Sequence, residues 1–328
     1  MVTVHMNPRD EILRILLSHR GEIVTGNDLG AALGISRSAV WRHIKVLRAE
    51  GYRIYSRTNN GYCLEGNADR LSAADIIPKL KGGLGRDIDI YKTIDSTNTF
   101  AKSLAVLGAK HGKTIISDTQ EIGRGQTGRD FFSPAGSGIY MSVIIRPNFL
   151  AEDTMLITTA AAVAVTDAIS EVCGLNTGIK WVNDIYSNTS MRKLCGILAE
   201  ASVGMETSQL EYVVIGIGIN VNNTSFPAEL KRTATSLYLE TGHFFDRNTL
   251  IVKVLDALDN RISQIPSAAF LEEYRNLSIL IGKDVNVTHG NRNFTAKVLE
   301  IDSRGRLVVK PDNAPVSVLS SGSVALIS

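Results

Sequence analysis

Residues 120–142, QEIGRGQTGRDFFSPAGSGIYMS, set Gly123, Gly125, Gly128, Gly136 and Gly138 among Arg124 and Arg129. Glycine lets backbone N–H groups come close to a ligand, and an arginine fork suits phosphate or carboxylate oxygens. The run reads as an anion-binding loop, with a tight turn between strands as the structural alternative. Two guanidiniums close together favour the loop, as does the β-rich IYMSVIIRP behind it, which would anchor one end on a sheet. The Gly-Lys-Ser/Thr ending of a P-loop does not occur. GRGQTG is also followed by Phe131, Phe132 and Pro134, where a dinucleotide fingerprint must open a helix.

Other residues suit the same chemistry. KWVNDIY (180–186) places Lys180 between Ile179 and Trp181, buried-type neighbours that would desolvate and strengthen an ammonium; a surface lysine is the alternative. DSTN (95–98) offers hydroxyl and amide groups, and equally the N-cap of a following helix, two compatible roles. In GIGIN (216–220), Gly216 and Gly218 permit close backbone approach within a strand, although for Gly216 a bulge or packing against a neighbour is the better reading.

These residues need a scaffold. Strand-like runs occur at IDIYKTI, KTIISDT, GIYMSVIIRP, LCGILAEASV and EYVVIGIGINV, with helices near 98–107 and 154–173, which predicts an α+β domain with a mainly antiparallel or mixed sheet. ADRLSAADIIPKL, from about residue 67, reads as a connecting helix with Ser72 as N-cap. The most apolar run, LITTAAAVAVTDAI from Leu156, falls short of the roughly 18 residues of a membrane span and contains Asp167, so a buried helix is expected. The tail, NFTAKVLEIDSRGRLVVKPDNAPVSVLSSGSVALIS, alternates over short strands with turns at SRGR and PDNAP.

The 44% hydrophobic and 21% charged composition is that of a soluble protein, and 328 residues suffice for two or three domains. A net charge of +2 demands neither nucleic acid nor membrane. Cys63, Cys173 and Cys195 have no metal-ligand spacing and form no disulfide framework, and the start, MVTVHMNPRDE, carries no secretory signal, so a reducing cytoplasm is expected.

Charge is unevenly spread: residues 1–66 hold nine Lys/Arg against six Asp/Glu. RDEILRILLS (9–18), TGNDLGAAL (25–33) and SRSAVWRHIKVLRAEG, capped by Ser36 and ended by Gly51, read as three helices with a glycine turn before the third. The third buries Val40, Ile44 and Leu47 and turns Arg37, Ser38, Arg42, His43 and Lys45 outward, as a recognition helix does. YRIYSRTNNGYCLE, turning at Asn59-Asn60-Gly61, is the wing of a winged helix-turn-helix. Between Arg37 and Arg57 stand six basic residues and one acid, Glu50, an imbalance that phosphate contacts explain better than solvation. Ser38, Arg42 and His43 would reach a major groove. A small helical packing module is the alternative.

Five blocks in this order, DSTN (95–98), GRGQTGR (123–129), KWVNDIY (180–186), KLCGILAE (193–200) and GIGINV (216–221), resemble the bacterial biotin protein ligases, and the front part resembles the DNA-binding domain of those members that repress the biotin operon. The resemblance implies a winged helix-turn-helix (1–66), a mixed-sheet ligase domain of the biotin/lipoate type (67–279) and an SH3-like β-barrel (280–328). It implies that biotin is activated by ATP with Mg2+ to biotinoyl-5′-AMP and passed to a lysine of a biotin carboxyl carrier domain. Attack of a carboxylate on the α-phosphate brings two anions together, so fixed positive charge and positioning supply the catalysis. Arg124 and Lys180 are the cations placed there.

By the same resemblance Ser96, Thr97, Asn98 and Gln120 hydrogen-bond the ureido ring of biotin, whose carbonyl and two N–H groups match hydroxyls and amides; Arg124, Gly125, Gln126 and Lys180 complete that pocket. Arg129, Phe131, Trp181, Asn183, Asp184, Lys193 and Asn220 serve ATP and the adenylate, with Phe131 and Trp181 as aromatic walls unless they are core. Arg37, Ser38, Arg42, His43, Lys45 and Arg57 face operator DNA, which a ligand-ordered homodimer would grip at two half-sites. Two positions depart from the family: Gln126 stands where an arginine is common, and Ser323 where a glutamate usually follows the glycine of the last strand. Rival readings are a lipoate or octanoate ligase, a ligand-sensing transcription factor without turnover, and a ligase whose front domain is only a scaffold.

Overall fold

The computed structural model describes residues 8–19, 21–49, 52, 54–57, 61–64, 70–125, 130–147, 150, 153–204, 210–290, 292–312 and 314–327. The chain divides into two units, residues 1–70 and 71–328.

In the first unit α1 (Pro8–Ser18), α2 (Gly26–Leu33) and α3 (Arg37–Ala49) precede the hairpin β1 (Ile54–Arg57) and β2 (Gly61–Leu64). Ile12, Leu16, Leu29, Val40, Ile44 and Leu47 are fully buried, at the helical spacing that drives three short helices together. Thr25 caps α2 by accepting the Asp28 N–H, and Gly34 ends it in the left-handed region at φ 66°. Ser36 accepts the Ala39 N–H at 3.2 Å at the start of α3. β1 and β2 pair with Arg57 opposite Gly61, and Val24 bridges Tyr62. Gly61, at φ 107°, lies so close to the Val24 carbonyl that a Cβ would come within 2.3 Å of it. Arg48 ties the hairpin to α3 through the Ile54 carbonyl and Ser56 Oγ, both at 2.7 Å. Asn59 and Asn60 lie outside the described residues.

The second unit begins with α4 (Ala73–Ile76), β3 (Ile88–Ile94), α5 (Thr97–Val106), β4 (Thr114–Gln120), β5 (Gly138–Ile145) and α6 (Thr154–Cys173). It continues through β6 (Thr177–Lys180), β7 (Asp184–Ser187), β8 (Lys193–Val203), β9 (Leu210–Asn220), α7 (Leu237–Thr241), α8 (Arg247–Ser263) and α9 (Leu271–Asn276). The connecting helix is shorter than its sequence pattern predicts: after α4 come the tight turn 77–79 and Pro78, which supplies no N–H to a continuing helix, and Ser72 makes no side-chain cap bond. The seven strands lie in the order β3-β4-β5-β9-β8-β7-β6, with β3 and β4 parallel and the other neighbours antiparallel. The sheet is therefore mixed, as expected.

α6 extends over 20 residues and so exceeds the 14-residue apolar run read from the sequence. Among the described residues it is long and apolar enough to cross a membrane by length and composition, so the length criterion fails. Burial decides instead: 13 of its residues are buried, and Asp167 is held by Arg261 of α8 at 2.7 Å, which also meets Glu273 of α9 at 2.6 Å. Burial pushes the Asp167 carboxyl up despite that guanidinium. It also pushes the Cys173 thiol up to about 12, and raises Cys195 too, which leaves both thiols protonated and unreactive.

The carboxy-terminal strands β10 (Asp284–His289), β11 (Arg292–Ile301), β12 (Leu307–Pro311), β13 (Ser317–Leu319) and β14 (Ser323–Leu326) form an antiparallel sheet in the order β13-β12-β11-β10-β14. No pairing joins β13 to β14 among the described residues, so the expected barrel is observed as an open sheet. Its Val285, Val287, Val298, Leu307 and Val309 share one core with α6, α8 and the seven-stranded sheet.

Candidate active site

The central strands divide their side chains by period two. Ile139, Met141 and Val143 of β5, Ile215, Ile217 and Ile219 of β9 and Ile197 of β8 enter the core beneath α6 and α8. The intervening residues face the other side. Near β4 that face is covered by α5, whose Ala101 and Ala105 pack on Ile115, Ile144 and Val214. Beyond α5 it presents glycine. Tyr140, Gly218, Gly196, Asp184 and Lys180 stand opposite one another in register across β5, β9, β8, β7 and β6, so residues distant in sequence form one transverse row.

The glycines receive side chains lying flat on them. A Cβ at Gly216 would come within 2.1 Å of Asn98 Oδ1, and one at Gly218 within 2.7 Å of the Phe131 ring. For Gly216 this bears out packing against a neighbour, and the neighbour is Asn98 itself. Phe131 also nears Gly196 and meets Tyr140 edge-on, with centroids 6.4 Å apart.

DSTN leads into α5. Ser96 occupies the N-cap in extended conformation yet makes no side-chain cap bond. Thr97 donates from N and Oγ1 to Gln120 Oε1 at 2.9 and 3.1 Å, and Gln120 Nε2 donates to Ser133 Oγ at 3.0 Å. Asn98 Nδ2 donates to the Leu198 carbonyl and to Glu200 Oε2 at 3.2 and 2.9 Å, and its Oδ1 accepts from Ser142 Oγ at 2.6 Å. Both donors of the Asn98 amide are thus committed; toward a ligand it has only acceptor capacity. Glu200 also holds Lys102 Nζ at 2.7 Å. Burial would raise the Glu200 carboxyl, but hydrogen bonds from Lys102 and Asn98 and the charges of Lys102 and Arg124 outweigh it and hold it below the ordinary glutamate value.

Arg124 is exposed and its backbone forms an isolated antiparallel β-bridge with that of Asp130, while Phe131 N donates to the Gly123 carbonyl at 2.9 Å. Gly125 is half-buried; Gln126 and Arg129 lie outside the described residues. Lys180 ends β6, half-buried, with Nζ 5.6 Å from the Tyr186 ring centroid. Trp181 is buried, and its indole N–H donates to the Gly305 carbonyl at 2.9 Å, between β11 and β12. Its ring belongs to the junction with the carboxy-terminal sheet. Asn183 Nδ2 donates to the Ile197 carbonyl. Asp184 and Lys193 form an ion pair at 2.6 Å. Asn220 Nδ2 donates to the Thr235 carbonyl at 3.0 Å, while Thr235 N donates to the Lys193 carbonyl at 2.9 Å.

Sequence reasoning missed Ser142, Glu200, Glu240 and Arg247. Glu240 accepts from Ser187, Ser190 and Thr235 at 2.6 to 2.7 Å, anchoring the segment that holds Lys193 and Asn220. Arg247 is buried and donates to Asp118 and to the Gly138 carbonyl at 2.8 and 2.9 Å. For Ser142 and Glu200 a signal existed: both continue the every-second-residue face marked by Gly216 and Gly218.

In the first unit Arg37, Ser38, Arg42 and Lys45 are exposed on α3 and His43 is half-buried. The Arg37 stem passes Gly26 of α2, and the side chain of Arg57 lies outside the described residues.

A mixed sheet with a glycine floor, a hydroxyl-amide network at one side and cations at the ends of β6 and β8 on the other marks a site suited to a small anionic ligand. Here it is joined to a helix-turn-helix unit. Residues 9–63 match the HTH domain, 90–220 the biotin/lipoate A/B protein ligase family and 280–326 the biotin protein ligase C terminal domain. The chain belongs to the biotin protein ligase family. It is 34% identical to the bifunctional ligase/repressor BirA of Bacillus subtilis, covering 95% of this chain and 97% of that protein. With that of Escherichia coli it shares 30% identity over 91% of each. The biotin protein ligase from Aquifex aeolicus in complex with biotin and ATP superposes with a TM-score of 0.62 at 26% identity, over 74% of this chain and 99% of that one.

Proposed function

We propose that the chain joins biotin to ATP, passes the biotinyl group to a carrier-domain lysine, and represses transcription of biotin genes through its amino-terminal unit. The carrying observation is the network of Thr97, Gln120, Ser142, Asn98 and Glu200 beside the floor of Gly216 and Gly218. Those groups suit the ureido ring, with Ser96 and the remaining acceptor of Asn98 turned to it. The biotin carboxylate attacks the α-phosphorus, the bond to the β-phosphate breaks and pyrophosphate leaves. Arg124 and Lys180 neutralise the charge that accumulates there. The carrier lysine then attacks the acyl carbon and AMP departs.

Phe131 walls the ligand over Gly218. Asp184, Lys193 and Asn220 attend the phosphates and ribose, with Asn183 fixing the turn; Gly125, Gln126 and Arg129 complete the loop. Magnesium would enter with ATP as the counter-ion of the triphosphate, near Asp184, the row's carboxylate, which is paired with Lys193. In a cytoplasmic setting the adenylate would order the ligand loops and favour a homodimer, bringing two winged helices to a two-fold operator.

ATP–pyrophosphate exchange with biotin, octanoate, lipoate or no acid tests the reading, repeated with Lys180→Ala. Exchange that requires biotin and falls in the variant supports it. Exchange with lipoate or octanoate instead would make this a sister ligase, and no exchange would leave a ligand sensor. DNA affinity with and without biotin and ATP tests the coupling; equal affinities would exclude it.

A further inference from the structure

Trp41 leaves 52% of its surface exposed, although α3 already buries Val40, Ile44 and Leu47. It stands one turn after Arg37 and one turn before Lys45, whose Nζ lies 5.6 Å from the ring centroid. Ser38, Arg42 and Lys45 beside it are exposed as well. Val40, Ile44 and Leu47 already fill the helix's buried face without this indole, and an exposed cation–π pair is a weak contribution to folding. Folding therefore does not account for a large apolar ring among cations on that helix.

Duplex DNA does account for it. Six basic residues face one acid between Arg37 and Arg57, a complement to phosphate. The apolar feature that a major groove presents is the thymine C5-methyl group. We propose that Trp41 is a base-reading contact of α3, covering thymine methyls in the major groove while Lys45, held at its ring, and Arg42 meet phosphates. The proposal rests on the amino-terminal unit being a DNA-binding module and adds which side chain confers selectivity. Phosphate contacts position the protein without reading sequence, so affinity and selectivity are divided between different residues of one helix.

The test uses the full chain with biotin and ATP and three probes: the duplex it selects from a randomised library, the same duplex with uracil for thymine, and an unrelated duplex. Removing the methyls should weaken wild-type binding about tenfold and leave Trp41→Ala indifferent to them. Trp41→Ala should also lower the ratio of selected to unrelated binding about tenfold, with the salt dependence of affinity unchanged. The chain has two tryptophans, and Trp181 is 5% exposed. The emission lost in Trp41→Phe therefore reports Trp41, and it should become shielded from acrylamide when the selected duplex binds. Unchanged selectivity in Trp41→Ala, or quenching that DNA does not alter, would overturn the proposal. So would loss of self-association in that variant with selectivity retained, which would assign the ring to a contact between copies. A chain that bound none of the three duplexes would instead remove the DNA-binding reading itself, and this inference with it.

Discussion

Asn98 lies directly over Gly216: any side chain on that glycine would meet the Asn98 amide oxygen at 2.1 Å. The amide is fixed from both ends, by Ser142 on its oxygen and by Leu198 and Glu200 on its nitrogen. The strand glycine is thus the space in which the side chain of Asn98, more than a hundred positions earlier in the chain, becomes immobile.

Gly216→Ala should displace that amide and leave buried partners unsatisfied, a cost of about 1–3 kcal/mol. The expected outcome is a KM for biotin raised about tenfold or more, with KM for ATP little changed. Biotin-dependent pyrophosphate exchange measures both; an unaltered biotin KM would mean that Asn98 is not part of the pocket.

Glu200 holds Asn98 and Lys102 as a carboxylate. Its pKa is depressed in the folded chain, so the contribution of its charge is present above the ordinary glutamate value of about 4.3 and is lost as pH falls through the lower folded value. Biotin affinity, followed by calorimetry as pH is lowered below about 5, should fall in the wild type. Glu200→Gln should bind more weakly at neutral pH and show a flatter profile. Parallel profiles would assign the acid sensitivity to another group.

Gln126 brings hydrogen-bonding capacity but no charge to the glycine loop. Gln126→Arg should slow dissociation of the biotinoyl-adenylate, since a guanidinium adds a charge-assisted contact. Release of labelled adenylate on dilution is the measurement, and an unchanged rate would count against a role for this position in retention.

Trp181→Phe should remove the bond to the buried Gly305 carbonyl and loosen the junction between the two sheets. A loss of about 1–3 kcal/mol is expected, visible as a lowered melting temperature. A raised KM for ATP with unchanged melting would instead place the ring at the nucleotide.

Much of this was legible in the sequence because the signals are local. Ser36, Thr25 and Gly34 mark the helices of the first unit, and the Ile-Gly alternation of GIGIN marks a strand with two different faces. What escaped depends on contacts between distant segments. Nothing near Glu200 indicates Asn98, and nothing near Trp181 indicates Gly305, because pairing partners are set by sheet order. Arg247 escaped for a different reason: a charged residue at a helix start is ordinarily solvated, and its burial follows from Asp118 and the Gly138 carbonyl lying beneath it. α8 itself carried a readable start, with Asp246 accepting from Asn248 and Thr249 N–H groups.

The alternation of isoleucine and glycine along β9 has a consequence for how such a chain can change over time. One reading frame specifies folding on its odd positions and recognition on its even ones. Inserting or deleting a single residue within β9 would bring the glycines under α6 and turn the isoleucines toward the substrate, so that stability and binding fail together. Point substitutions can tune the two functions separately, but length variation is confined to the connections between strands. Lineages should therefore differ in their loops while keeping these strands at constant length.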